Sequence, residues 1–363
     1  MFNYIDEFRN TDAISVLRDS IMKYEDDEIK IMEVCGTHTM AISKYGIRNI
    51  LPKSVKLISG PGCPVCVTPT SYIKSVFKLL ENENIIIATF GDMMRIPNNG
   101  VSLLHKKAEG KDIRIIYSPL DAINIAKENK NKKIVLLSIG FETTNPIIAM
   151  TLERAKENNL KNFFALISNK TIPKVLETLL NDKELGIGSF IYPGHVSVIT
   201  GTKFYKDILN KYNVSGVVTG FEAVDILYSI YLILKNKKLK KNFFENNYSR
   251  VVKEEGNKIA IEKTYGVFKP CDSTWRGIGN IPMSGLKLND EYMDFDAVNK
   301  FDLNINVNSE VKGCICGEIL KGKKLPNECM KFGNECTPQS PIGSCMVSSE
   351  GTCAAYFKYE GIK

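Results

Sequence analysis

Ten cysteines in 363 residues could do chemistry, and their grouping says which kinds. Six lie in the last fifty residues, at Cys314, Cys316, Cys329, Cys336, Cys345 and Cys353. Two more close a Cys-Pro-Val-Cys turn at Cys63 and Cys66, inside Gly60-Pro61-Gly62-Cys63-Pro64-Val65-Cys66. Cys35 stands in Cys35-Gly36-Thr37-His38, and Cys271 stands alone. Thiolates bind soft metals, exchange disulfides and attack electrophiles.

The tail spacing is C-x-C, then gaps of 12, 6, 8 and 7 residues. It lacks the paired C-x2–4-C of zinc knuckles. Six thiols in a loop-rich segment suit a [4Fe-4S] cluster, which takes four thiolates and leaves two over. A zinc site and structural thiols remain the alternatives. The Cys63/Cys66 turn follows an apolar run at 55–58, the position of a redox dithiol. Pro61 and Pro64 would stiffen it, and Gly60 and Gly62 would let it bend. Half of a zinc site is the other reading. Cys35 ends an apolar run, and residues 37–44 read as a helix capped by Thr37 with Gly46 past its end. The helix dipole would bias Cys35 toward thiolate, and His38 could help; a buried small residue is the plainer alternative. Of the other histidines, His195 follows a strand in Tyr192-Pro193-Gly194-His195, where α/β proteins place ligands, whereas His105 reads as structural. Glu142 and Glu222 follow glycines at strand ends and could orient a ligand or cap a helix.

The elements that must position these groups are legible. Residues 12–24 place Ile14, Leu17, Ile21 and Met22 on one helical face. Short apolar runs then alternate with helical patterns: 29–34, 55–58, 85–89, 113–117, 134–139, 163–167, 190–192 and 214–218. This predicts α/β domains with parallel sheets covered on both faces. We divide the chain into 1–125, an α/β domain with Cys35 and the Cys-Pro-Val-Cys turn; 126–255, a second α/β domain; and 256–363, a loop-rich domain with short strands and the clustered cysteines. Gly140-Phe141-Glu142 recurs as Gly220-Phe221-Glu222, which either relates two halves or punctuates similar turns. No nucleotide-binding glycine fingerprint appears.

Composition is that of a soluble globular protein, 44% hydrophobic and 25% charged. The net charge of +7 is mild. Much of it comes from Lys235, Lys237, Lys238, Lys240 and Lys241, a run that reads as a solvated helix end rather than a nucleic-acid site. The N-terminal stretch is polar and acidic, unlike a signal peptide, and no apolar run is long enough to span a bilayer. We expect a cytoplasmic protein with no membrane partner, in a compartment where cysteines serve as metal ligands or redox catalysts.

Taken together, the motifs resemble the HypD family of hydrogenase maturation factors over nearly the whole chain. The resemblance rests on Glu33-Val34-Cys35-Gly36-Thr37-His38-Thr39, Ser59-Gly60-Pro61-Gly62-Cys63-Pro64-Val65-Cys66-Val67-Thr68-Pro69, Gly140-Phe141-Glu142-Thr143-Thr144, Tyr192-Pro193-Gly194-His195-Val196, Trp275-Arg276-Gly277-Ile278-Gly279 and Cys345-Met346-Val347-Ser348-Ser349-Glu350-Gly351-Thr352-Cys353. It implies two α/β domains plus a C-terminal iron-sulfur domain. It implies that Cys314, Cys329, Cys336 and Cys353 hold a [4Fe-4S] cluster and that Cys316 and Cys345 form a redox pair. Cys63 and Cys66 would be an exchangeable dithiol. Cys35 would bind the transient iron that becomes Fe(CN)2(CO), together with a cysteine of the partner HypC. Cyanide would come from HypE, with HypF upstream, as a thiocyanate whose cleavage takes two electrons. The pattern gives Cys271 no role. A thiol-disulfide oxidoreductase, a zinc-stabilised interaction module and a cysteine hydrolase using Cys35 and His195 are the competing classes.

Overall fold

All eight expected apolar runs form strands in the structure, a computed structural model that describes residues 10–305 and 313–361. The polar stretch at 1–7 lies outside the described residues. The strands are β1 (Ile29–Glu33), β2 (Val55–Ser59), β3 (Ile85–Thr89), β4 (Ile113–Ile115), β5 (Lys133–Ser138), β6 (Phe163–Ile167), β7 (Ser189–Pro193) and β8 (Ser215–Thr219). A ninth, β9 (Phe244–Asn246), has only three residues and no apolar run to announce it. Every residue of β3, β6, β7 and β8 is buried. Strands hidden on both faces read as unbroken apolar runs, which is why they were visible in the sequence.

These strands make two parallel sheets. One has the order β2-β1-β7-β8-β9 and the other β4-β3-β5-β6. In the first, Ile31 of β1 sits opposite both Leu57 of β2 and Ser189 of β7. Each sheet draws strands from both sides of residue 125, so a boundary there does not separate them. The chain starts the first sheet, leaves to build the second, and returns at β7.

The region after residue 255 departs from the expected texture. It opens with a helix, Lys258–Val267, and then an antiparallel hairpin of β10 (Phe268–Trp275) and β11 (Gly279–Leu288). At eight and ten residues these strands are long rather than short. Val267, Phe268, Leu286 and Leu288 pack in one core with Ile134 and Leu136 of β5. The periodicity was masked because the hairpin's outward face is polar and broken by a bulge between Cys271 and Ser273. The cysteine-rich segment follows as short helical pieces, Cys316–Leu320, Pro326–Glu328, Ser344–Met346 and Thr352–Tyr359.

The entry helix is Thr11–Met22, with Asn10 capping the N–H groups of Asp12 and Ala13. Ile21 is buried as expected, but Met22 is half exposed because its turn ends the helix. The lysine run forms the exposed last turn of Ala223–Lys238 and the residues after it, where cations complement the helix dipole. No helix among the described residues is long and apolar enough to cross a membrane.

Candidate functional site

In an open parallel sheet, ligands bind beyond the C-terminal strand ends where the strand order reverses. In the first sheet that point lies between β1 and β7. The residue that follows Val34 there is Cys35, and β7 runs directly into Gly194 and His195. Gly220 and Phe221 follow β8 at the same edge. The topology therefore gathers three of the sequence motifs around one thiol.

Cys35 is the N-cap of the helix Gly36–Lys44, with extended backbone at φ −146° and ψ 123°. Gly46 closes that helix in a left-handed conformation at φ 63°, as its sequence position implied. Thr37 does not cap it; its hydroxyl instead donates to Glu350 Oε1 at 2.7 Å. The Cys35 N–H donates to Glu33 Oε2 at 3.3 Å, and Thr39 Oγ1 donates to Glu33 Oε1 at 2.5 Å. Glu33 is fully buried, and burial pushes its carboxyl up to about 7 against the hydrogen bonds from Ser59 and Thr39 and the charge of Arg48.

The expected thiolate is not favoured at Cys35. Burial, then the charge of Glu350, pushes its thiol up to about 12, outweighing the helix N–H groups of His38 and Thr37. His38 supplies no positive charge either. Its Nε2 donates to the Gly220 carbonyl at 2.8 Å, its Nδ1 is buried with no partner among the described residues, and burial pushes its pKa down to about 4. The Phe221 ring contacts both His38, at 4.6 Å, and the exposed His195, at 4.0 Å. A bound metal cation reverses this balance, because it displaces the thiol proton outright.

The Cys-Pro-Val-Cys turn lies against the Cys35 backbone. Gly36 N–H donates to Gly62 O at 3.0 Å, and Gly60 N–H to Glu33 O at 2.7 Å. A Cβ on Gly62 would stand 2.4 Å from Cys35 N and 2.5 Å from its Cα, so only glycine fits. Cys63 caps the short helix Pro64–Val67, and its sulfur accepts the Cys66 N–H at 3.3 Å. The two sulfurs are 2.6 Å apart.

From there other thiols lie close by. The Cys66 Sγ donates to Ser344 O at 4.0 Å, next to Cys345, and Cys345 lines one recess with Cys316 and Cys314. Burial, then Cys345 and Cys63, holds Cys66 well above the ordinary thiol range. Cys345 goes the other way: hydrogen bonds from Cys316 and Cys66 pull it down to about 6 despite its burial. Cys316 is pulled down by Cys314 but pushed up by Cys345 and burial, ending near 12.

All six tail thiols line one recess with Ile319, Phe332, Ile342 and Met346. The Ile342 N–H donates to Cys336 Sγ at 3.3 Å. Gly343 leaves room beside Cys314, where a Cβ would meet the sulfur at 2.8 Å. Six buried or half-buried thiols in a largely apolar recess, one of them accepting a backbone N–H, fit an iron-sulfur cluster. Among the described residues no three His, Cys, Asp or Glu side chains converge as a single metal ion requires. A cubane cluster asks for something else, one thiolate at each of four separated irons.

Comparison with known proteins matches nearly the whole chain. The profile of HypD, described as the hydrogenase formation hypA family, matches residues 12–360. The chain belongs to the HypD family. It is 44% identical over 336 residues to a Methanocaldococcus jannaschii protein named for hydrogenase expression and formation, covering 93% of each chain. It is 41% identical to the hydrogenase maturation factor HypD of Escherichia coli, over 98% of both chains. A Bradyrhizobium diazoefficiens hydrogenase maturation factor is 40% identical, over 98% of this chain and 96% of its own.

Within this HypD-family chain the remaining candidates sort by contact. Glu222 caps Ala223–Lys238 in a reciprocal capping box with Asp225. His105 takes the Ser102 N–H at Nδ1, 3.0 Å away, and so has the structural role expected of it. Glu142 does not cap the helix that follows it; it accepts the N–H of Ile172, the first residue of the helix Ile172–Asn181, at 2.8 Å, leaves Oε2 buried with no partner among the described residues, and is pushed up to about 7 by burial. Cys271 lies on β10, away from the other thiols, within the field of Lys287 and Lys170. Sequence reasoning missed Glu33, Glu350 and Arg276 as site residues. Glu33 and Glu350 stood inside quoted motifs, two residues before Cys35 and three before Cys353, but a carboxylate among cysteines has no spacing rule to mark it.

Proposed function

We propose that this HypD-family chain works in hydrogenase maturation as the scaffold and electron donor on which the Fe(CN)2(CO) unit is assembled, with HypC and HypE as partners. In this reading Cys35 takes the iron as substrate, and Cys314, Cys329, Cys336 and Cys353 hold a [4Fe-4S] cluster. Cys316 and Cys345 pass electrons, and Cys63 and Cys66 exchange. A cytoplasmic location belongs to the same reading.

The observation that carries it is the adjacency of the thiol-bearing segments. Cys316 and Cys345 line one recess, Ser344 beside Cys345 is hydrogen-bonded to Cys66, and the Cys63–Cys66 turn packs on the Cys35 backbone. When bound, the cluster would supply single electrons. The chain's own residues do the rest. Cys345, pulled down to about 6, is the thiol most ready to act as thiolate. Cys35, held as a thiol by burial and Glu350, stays inert until a cation arrives to take its proton's place. The protonated thiol thus favours a soft metal cation over adventitious electrophiles. Cleavage of a thiocyanate to thiolate and cyanide takes two electrons, which a dithiol can deliver as it closes to a disulfide.

The test is anaerobic co-purification with HypC, followed by infrared spectroscopy. Cyanide and carbonyl stretches are expected on the wild-type complex and absent with Cys35→Ala. Their persistence would move the iron elsewhere. Cys63→Ala or Cys66→Ala should block cyanide transfer while the visible absorption of the cluster stays. Transfer at the normal rate would end the relay idea.

A further inference from the structure

The tip of the β10–β11 hairpin buries a cation that no acid among the described residues answers. Arg276 is 5% exposed. Its backbone N–H donates to Val67 O at 2.8 Å, beside Cys66. Its Nη1 donates to Ser344 Oγ at 3.1 Å, and that hydroxyl donates onward to Cys66 O at 3.2 Å. The neighbouring Gly277 packs on Gly317, where a Cβ would stand 2.4 Å from the Gly317 Cα, and Gly317 follows Cys316. The hairpin tip is therefore fastened to three thiol-bearing segments at once.

One end of the guanidinium is left over. Nη2 is buried and has no hydrogen-bond partner among the described residues, and no carboxylate there pairs with Arg276. A buried cation with an unused donor and no counter-ion is strongly unfavourable unless an anion accompanies it. The groups it stands beside in the chain's own geometry are Cys345, next to its partner Ser344, and Cys316, next to the Gly317 on which Gly277 packs.

We propose that Arg276 is a positioning residue of the sulfur run, whose fixed charge and free Nη2 hold the negative charge a sulfur acquires when a disulfide there is reduced. This rests on the reading of the run as an electron path. The step balances as follows. A dithiol reductant opens a disulfide of the run: the S–S bond breaks, and the reductant's two sulfurs join in their own disulfide. Two electrons reach the run. One of its sulfurs takes a proton from the reductant, the other remains a thiolate, and the second proton goes to solvent. The guanidinium stabilises the thiolate product and not the neutral disulfide, so it raises the reduction potential. Arginine suits the task because it does not lose its charge on burial.

The experiment equilibrates the full chain anaerobically with graded ratios of reduced to oxidised dithiol. Free thiols are then alkylated, and the states of Cys63, Cys66, Cys316 and Cys345 are read by peptide mass spectrometry. Arg276→Gln should need a roughly tenfold higher ratio for half reduction, a fall of about 30 mV for a two-electron couple. Arg276→Lys should stay near wild type. Emission from Trp275, the only tryptophan, reports whether the hairpin tip is intact. Equal midpoints for Arg276→Gln and wild type overturn the proposal. So does an Arg276→Lys variant that carries its charge at the working pH, keeps the wild-type emission and still shifts as far as glutamine. Should Arg276→Gln fail to fold, Ser344→Ala frees Nη1 and must lower the midpoint in the same direction; no change overturns the proposal. If the wild type forms no disulfide at any ratio, the electron-path reading falls and this falls with it, whereas a cycling wild type matched by Arg276→Gln sinks the arginine alone.

Discussion

Cys35 and Cys345 are both buried thiols, yet their surroundings drive them apart. Cys35 sits at the sheet edge among carboxylates and is pushed up to about 12, with burial and Glu350 responsible. Cys345 sits among other thiols and is pulled down to about 6 by Cys316 and Cys66. Burial opposes ionisation in both, so the difference comes from neighbours: S–H donors stabilise a thiolate, and a carboxylate charge opposes one. A metal-receiving cysteine and an exchanging cysteine have opposite needs. The first is protected while empty; the second is reactive at rest.

Graded-pH alkylation of the metal-free chain should show this most strongly. Cys345 should label with a midpoint near pH 6 and Cys35 only toward pH 12, read peptide by peptide. Slow access through a buried site affects the absolute rates of both and leaves the midpoints in place. Coincident midpoints would break the comparison.

Glu33 supplies the next largest effect. Its folded pKa of about 7 lies above its ordinary 4.5, so the folded state binds the proton more tightly. Stability is then fullest below pH 4.5 and declines as pH rises to 7. The loss is about 3 kcal/mol, from 1.36 kcal/mol per pKa unit. Glu33→Gln removes the proton and should flatten that decline. Urea midpoints at pH 5 and pH 8, compared between wild type and variant, give the answer. An equal decline in both would mean that Glu33 is not strained by burial. Glu142, likewise pushed up to about 7 by burial, adds a decline of the same sign that the variant retains.

The sequence carried the strands of both sheets because doubly buried strands are unbroken apolar runs, as at 85–89 and 163–167. It carried Cys35, Cys63 and Cys66 because strand ends in parallel sheets are where chemistry gathers. It did not carry the β1–β7 neighbourhood that joins residue 33 to residue 191, since pairing over such a distance leaves no local mark. The same reason hides Glu350 and Arg276. Each reaches its thiols across hundreds of positions or from a hairpin tip, and neither residue type announces a sulfur partner. The ionisation of Cys35 was misjudged for a related cause: the helix N-terminus is local and visible, whereas burial and Glu350 are tertiary and decide the sign.

Gly62 tests how tightly the two regions are joined. A methyl group there would stand 2.4–2.6 Å from Cys35 N, Cys35 Cα and Val34 C, all backbone atoms that cannot rotate away. Gly62→Ala should therefore lift the Cys63–Cys66 turn off Cys35 at a cost of about 1–3 kcal/mol. Cys314, Cys329, Cys336 and Cys353, away from the turn, should keep their alkylation pattern while that of Cys35 changes. A change confined to the recess would mean the turn is anchored from the Cys345 side.

The smallest expected effect isolates the carboxylate. Thr37→Val deletes the 2.7 Å hydrogen bond to Glu350 without altering any charge, at about 1 kcal/mol. Glu350→Gln keeps a hydrogen-bond acceptor for Thr37 and deletes the charge. Since Glu350 raises the Cys35 pKa, the glutamine variant should label Cys35 at lower pH, and the valine variant should not. Cys345 should be unmoved in both, because its neighbours are sulfurs. If Thr37→Val shifts Cys35 as far as Glu350→Gln does, position rather than charge governs the thiol. The contrast between the two cysteines would then rest on packing alone.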